Sequence, residues 1–187
     1  MLSTNIKEAT KPAHQQLEKT VILRLKAIRS QADYAALLKY FYAYFSALER
    51  NFAPFMTAAV LPDYQERRHA AYLKKDIEAL GFSVDELPDA TAPVITNVLQ
   101  ALGAMYVMEG SIMGGSIIVQ MLAKGGIVDG VSFFSGYGER TGEMWGKFVG
   151  AMNGQAQTAD EEAMAIETAN ETFQRFGDVF ETAKVLQ

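Results

Sequence analysis

The chain has 187 residues, 49% of them hydrophobic and 21% charged, which is enough for one ordinary globular domain with a real core. A net charge of −5 argues against a general nucleic-acid surface. With no cysteine, disulfide scaffolds, thiolate-ligated zinc, iron–sulfur clusters and thiol nucleophiles are excluded. Met1 begins a polar, amphipathic stretch without the basic-then-apolar pattern of a secretory signal, and a cytoplasmic protein is expected.

In chain order, the first predicted helix runs from about Thr4 to Ile28, with apolar residues recurring every three or four positions. Pro12 interrupts it and is expected to separate an initial turn from the main body. Ser30 is a suitable cap for a second helix over 31–58, whose aromatic stripe (Tyr34, Phe41, Tyr44, Phe45, Phe52 among others) reads as core. A third helix fits 64–80 and stops at Gly81. Thr91 and Pro93 then open a long apolar helix over 94–124, closed by Gly125 and Gly126. Asn97, Gln100, Glu109, Ser111, Ser116 and Gln120 interrupt it, so it reads as a buried helix and not a membrane span. Helices over 139–152 and 159–184 complete the chain, the last with capping-box spacing at Thr158 and Glu161. No period-2 pattern supports a strand. The expectation is one all-α domain over 1–187.

The long apolar helix carries Gly110, Gly114 and Gly115 in its middle. Each glycine costs a helix about 0.5–1 kcal/mol relative to alanine, so something must require the missing side chains. Either another helix crosses very closely, or a flat ligand lies against the backbone.

The chemistry-bearing motif lies near the N-terminus. In KEATKPAHQQLE, Lys7 to Glu18, His14 and Glu18 are four apart and share a helix face. A neutral imidazole can ligate a metal through one nitrogen while its other N–H is held by a carboxylate. The only other histidine, His69, sits in the polar run ERRH and reads as a solvated helix face. No zinc or di-iron pattern is present, so a single ligating histidine needs a cofactor to supply the remaining ligands. Haem does so, and it is flat.

At this point the sequence resembles the haem oxygenase family, on two motifs in the right order. These are K-E-A-T-x-x-x-H-x-x-x-E at Lys7 to Glu18 and Y-V-x-E-G-S-x-x-G-G at Tyr106 to Gly115. Weaker similarity follows through Phe133 to Gly138 and at Trp145 and Phe148, and the pattern looks closest to bacterial, biliverdin-producing members. The resemblance implies a multi-helix fold holding haem between a proximal N-terminal helix and a kinked, glycine-rich distal helix. It implies that His14 ligates the haem iron, that Glu18 orients His14, and that Gly110, Gly114 and Gly115 leave room for haem and oxygen. Lys7 and Tyr106 are implied partners for a haem propionate, and Arg140 is a looser one. The implied activity is cleavage of haem, at once cofactor and substrate, to biliverdin, iron and carbon monoxide. Electrons would come from an external reductase or ferredoxin, and a phytochrome could accept the biliverdin. No nucleic acid or membrane partner is expected.

One departure concerns Ser111, where many members have an aspartate that organises the water delivering a proton to oxygen. A hydroxyl can relay through water but is too weak an acid to be the proton source. Ser111 therefore keeps a second reading open, a haem carrier or sensor on the same fold. Thiamine-salvage hydrolases share this helical architecture, but they depend on a catalytic cysteine, which is missing here. Glu109 projects about 100° from Gly110 on a helix and is expected to serve a network on another face.

Overall fold

The computed structural model describes residues 1–182. Among the described residues there are seven α-helices and no strand. They are α1 (Leu2–Ala27), α2 (Gln31–Phe52), α3 (Ala71–Ala79), α4 (Val98–Met113), α5 (Gly115–Lys124), α6 (Thr141–Gln155) and α7 (Ala159–Thr182). The all-α expectation holds. The last two positions of the predicted final helix, 183–184, lie outside the described residues.

α7 packs along both α1 and α4, and α2 backs α3 and α4. The aromatic stripe of α2 is core, as expected: Tyr34, Phe41, Tyr44, Phe45 and Phe52 are all buried. Phe41 and Phe45 interlock with Phe133, Phe134 and Phe176 at centroid distances of 5.0–5.9 Å. The buried phenols are satisfied, with the Tyr34 hydroxyl donating to Gly130 O at 2.8 Å and that of Tyr44 to Thr172 O at 2.7 Å.

Two caps sit where the sequence places them. Ser30 Oγ accepts from Asp33 N at 3.1 Å. Thr158 Oγ1 accepts from Glu161 N at 3.3 Å while Glu161 Oε2 accepts from Thr158 N at 2.9 Å, a complete capping box.

Several boundaries differ from expectation, some for local reasons and one because of distant partners. α1 runs unbroken through Pro12. Leu2 and Ile6 are fully buried and anchor the first turns, while Pro12 and the Glu8 carbonyl that loses its partner lie on the exposed side. α2 stops at Phe52, and a 3-10 turn, Ala53–Phe55, replaces its expected last turn. The long apolar helix begins at Val98 and not at 94, because Asn97 is the cap, accepting from Gln100 N at 3.0 Å. The preceding extended strap is tied down where Asn51 Nδ2 donates to Pro93 O at 2.8 Å.

The predicted 64–80 helix is split into a 3-10 turn, Tyr64–Glu66, and α3. The cause is Arg67, which adopts an extended backbone and is only 1% exposed. Its guanidinium donates to both Asp63 oxygens at 2.9 and 3.0 Å, to Glu109 Oε2 at 2.8 Å and to Met144 O at 3.0 Å. Tyr137 Oη donates to the other Glu109 oxygen at 3.1 Å. Glu109 thus serves a network behind the distal helix, as its direction off Gly110 requires. Burial pushes its carboxyl up from the usual carboxylate range against the pull of Arg67. Removing one partner of a buried pair leaves the other charge uncompensated. Arg67→Ala is expected to cost about 3–5 kcal/mol in denaturant unfolding. The exposed Lys74–Glu78 pair, screened by solvent, should matter far less.

His69 does not lie on a solvated helix face. It sits half-buried before α3, with Nδ1 at 2.5 Å from Glu49 Oε1 and the ring edge-on to Tyr64. The hydrogen bond to Glu49 holds its pKa above the ordinary histidine value. A raised folded pKa makes this contribution complete below about pH 6.5 and lost as pH rises through the folded value. The thermal midpoint is expected to fall across that window, and His69→Gln should flatten the fall.

Val98–Lys124 is long and apolar enough to cross a membrane by composition, but half of its most apolar window is buried inside the protein. Its first part, α4, is a core helix, with Leu102, Met105, Val107 and Ile112 buried.

Candidate haem site

A cavity of about 780 Å³ opens between α1 and the α4–α5 pair, within the range of about 300–1,000 Å³ typical of small-molecule sites. The α1 wall carries Lys7, Lys11, His14 and Glu18, spaced four, three and four residues apart, so one helical face presents all four. The opposite wall carries Tyr106, Gly110, Ser111 and Gly114, with Trp145 from α6 closing one side. The structure therefore brings together His14, Glu18, Lys7, Tyr106, Gly110, Ser111 and Gly114 from two motifs about ninety residues apart.

Among the described residues no side chain hydrogen-bonds the His14 imidazole, whose ring meets Phe173 of α7 edge-on at 5.5 Å. Glu18 is exposed on the same wall and forms no hydrogen bond to His14. Burial raises the Tyr106 pKa, with the Thr10 hydroxyl of α1 pulling the other way. Ser111 Oγ donates to Val107 O at 3.0 Å. That bond uses its one proton and leaves its lone pairs free to accept.

The three distal glycines divide by role. A Cβ built on Gly110 would meet nothing within 4 Å, and one on Gly114 would make only ordinary contact with Gly110 O at 3.6 Å. Both face the cavity, and the helix breaks at Gly114 between α4 and α5. Gly115 is different. It is buried, turned away from the cavity, and its Cβ would sit 2.1 Å from Phe134 O. The close-crossing explanation thus applies to Gly115, and also to Gly103, whose Cβ would lie 2.1 Å from Ala165 O on α7.

This division has a measurable consequence. Gly115→Ala should destabilise the haem-free protein by about 1–3 kcal/mol, by overpacking against rigid backbone. Gly110→Ala should stabilise it by about 0.5–1 kcal/mol, as alanine is the better helix former. Denaturant midpoints of the two variants check the assignment.

Arg140 is not brought to the cavity. It lies exposed ahead of α6, 3.5 Å from Glu143 and 3.8 Å from Met144 Sδ. Trp145 and Phe148, one turn apart, also separate: Trp145 lines the cavity while Phe148 is fully buried in the core. Lys11 and Phe173 were not singled out from sequence. Lys11 could have been, by its spacing with Lys7 and His14. Phe173 lies far along the chain on α7 and carries no local signal.

The donor set fits haem. One stretch of α1 offers Lys7 and Lys11 to carboxylates, while Val21 and Leu25, up to about 27 Å further along that helix, are apolar. Ile117, Ile118 and Met121 of α5 extend this apolar lining. Between these regions stand a free imidazole and two bare glycines. Among the described residues no cluster of side chains could hold a metal ion alone. A ligand with acidic groups at one edge, an apolar body and its own metal cage suits this cavity.

The family model for heme oxygenase matches residues 1–182. The chain belongs to the haem oxygenase family. It is 28% identical over 145 residues to a heme oxygenase of Xanthomonas campestris, spanning 76% of this chain and 86% of that protein. It is 24% identical over 180 residues to heme oxygenase PigA of Pseudomonas aeruginosa, spanning 92% and 87%. The heme oxygenase of Neisseria meningitidis, solved with NO and CO bound, superposes with a TM-score of 0.82 at 20% identity, covering 97% of this chain and 91% of that one. The fold is the haem oxygenase fold, and the protein is a haem-cleaving enzyme yielding biliverdin, iron and carbon monoxide.

Proposed function

We propose that the reaction runs in the α1–α4 cavity with His14 as the haem-iron ligand. The observation that carries this reading is an imidazole that lines the cavity opposite Gly110 and Gly114, which present no side chain, and that no side chain among the described residues hydrogen-bonds. Bound haem supplies the iron that activates oxygen and the ring that is opened.

Lys7, assisted by Lys11, pairs with the propionates and sets the in-plane position of the ring. Glu18 closes on the free N–H of His14 once the ligand is bound, fixing the tautomer. Gly110 and Gly114 leave room on the distal face. Tyr106 and Trp145 line the same cavity as Lys7, and Tyr106 is a second candidate partner for a propionate. Ser111, its proton committed to Val107 O, has lone pairs that could accept a hydrogen bond from a distal-face water and so position it. Gly115 supports the site from behind by letting Phe134 approach, and Arg140 has no part in it.

The single domain takes its electrons from a separate reductase or ferredoxin. A phytochrome is the proposed acceptor of biliverdin, in the cytoplasm.

Titration with haemin tests the reading. One equivalent should bind and give the absorption and iron–histidine stretch of a histidine-ligated haem. Failure of the Soret band to shift would remove haem from this cavity.

A further inference from the structure

Behind the haem cavity lies a second one of about 410 Å³, between α1 and α7. Its lining mixes apolar residues with polar ones, among them Gln16, Thr20, Asn170 and Gln174, and Gln16 and Gln174 are exposed, so it opens to solvent. Two residues line both cavities, Leu17 of α1 and Phe173 of α7. Leu17 is 8% exposed and Phe173 is 6% exposed. Phe173 is also the ring that meets His14 edge-on, at an interplanar angle of 61°.

We infer that Phe173, backed by Leu17, is a positioning residue for the haem ligand and the partition that keeps water in the second cavity away from the proximal face. The inference rests on His14 being the ligand. Two physical requirements lead to it. A ligating imidazole must be held in one orientation about its side-chain torsions, and no hydrogen bond does so in this structure. Its surroundings must also be dry, because the apolar shell of a metal site controls solvent access and ligand strength. Phe173 meets both requirements. It comes from a different helix, is held in place by burial, and presents a rigid edge to the imidazole. Glu18 can fix the tautomer by a hydrogen bond, but it is exposed and on the same helix as His14, so it cannot close the proximal side to water.

The test begins without haem. The chain has two histidines, so their ring protons are readily assigned by NMR. Phe173→Leu, which fills most of the volume without an aromatic ring, should move the His14 ring-proton shifts and leave those of His69 in place. With haem loaded, Phe173→Ala should shift and broaden the iron–histidine stretch and raise the rate of haem loss about tenfold. Phe173→Leu should shift the stretch but lose haem at close to the wild-type rate, because the partition is still filled. Unchanged His14 shifts in Phe173→Leu would overturn the contact. Equal haem loss from wild type and a folded Phe173→Ala protein, or equally fast loss from both variants, would overturn the partition. If Phe173→Ala does not fold, an unchanged stretch in Phe173→Leu overturns the positioning role. A wild-type protein without a histidine-ligated spectrum would instead sink the His14 assignment, and this inference with it.

Discussion

His14→Ala should abolish the histidine-ligated haem spectrum and turnover while leaving the helical fold intact. The fold is spared because the side chain is exposed and reaches into open space. Alanine also has the higher helix propensity at a mid-helix position. The ligand is lost because the only other histidine, His69, is bound to Glu49 before α3 and does not line the cavity. Exogenous imidazole should restore a histidine-like spectrum, since the substitution leaves space for it. Resonance Raman spectra with and without imidazole check this. Loss of the wild-type spectrum in His69→Gln, with His14→Ala unaffected, would reverse the assignment.

The second large effect is expected at Gly114. A leucine there projects its whole side chain into the cavity, as nothing but Gly110 O lies near the new Cβ. Haem binding or its oxidation should collapse, while stability changes little. The helix already breaks at this residue, and the added side chain meets no packed neighbour. Ser111→Ala should be far milder. The Ser111 hydroxyl donates to Val107 O, so its loss removes one water acceptor from the distal face, and a second water can take that place. Single-turnover biliverdin yields from the two variants distinguish the effects. Full activity in Gly114→Leu would place the haem elsewhere.

The contrast among the glycines shows what was legible in the sequence. A cluster of helix-weakening residues signals that side chains must be absent, but not in which direction. Gly110 and Gly114 are bare toward the cavity, whereas Gly115 is bare toward the carbonyl of Phe134. One residue of difference rotates a side chain by about 100°, and only the partner reveals which face matters. The first motif was readable because it lies on one continuous helix, where spacing alone aligns Lys7, His14 and Glu18.

The features that escaped are those fixed by distant partners. Arg67 looks like one more charge in the run ERRH, yet it is buried because Asp63, Glu109 and Met144 O converge on it from separate elements. That convergence breaks the predicted 64–80 helix, since the segment must extend for the guanidinium to turn inward. Phe173 stands out only once α7 is laid against α1. Pro12 misled in the opposite sense, because the burial of Leu2 and Ile6 outweighs a local breaker on the exposed side of α1.

The most direct test of the whole account is a single turnover of the wild-type protein loaded with one equivalent of haemin, given a reductant and oxygen. The Soret band should decay as biliverdin absorbance grows, with one carbon monoxide released per haem and iron recovered by a chelator. An oxygenated spectrum that persists with the ring intact, and no carbon monoxide, would contradict it and leave a haem-binding protein that does not cleave its ligand.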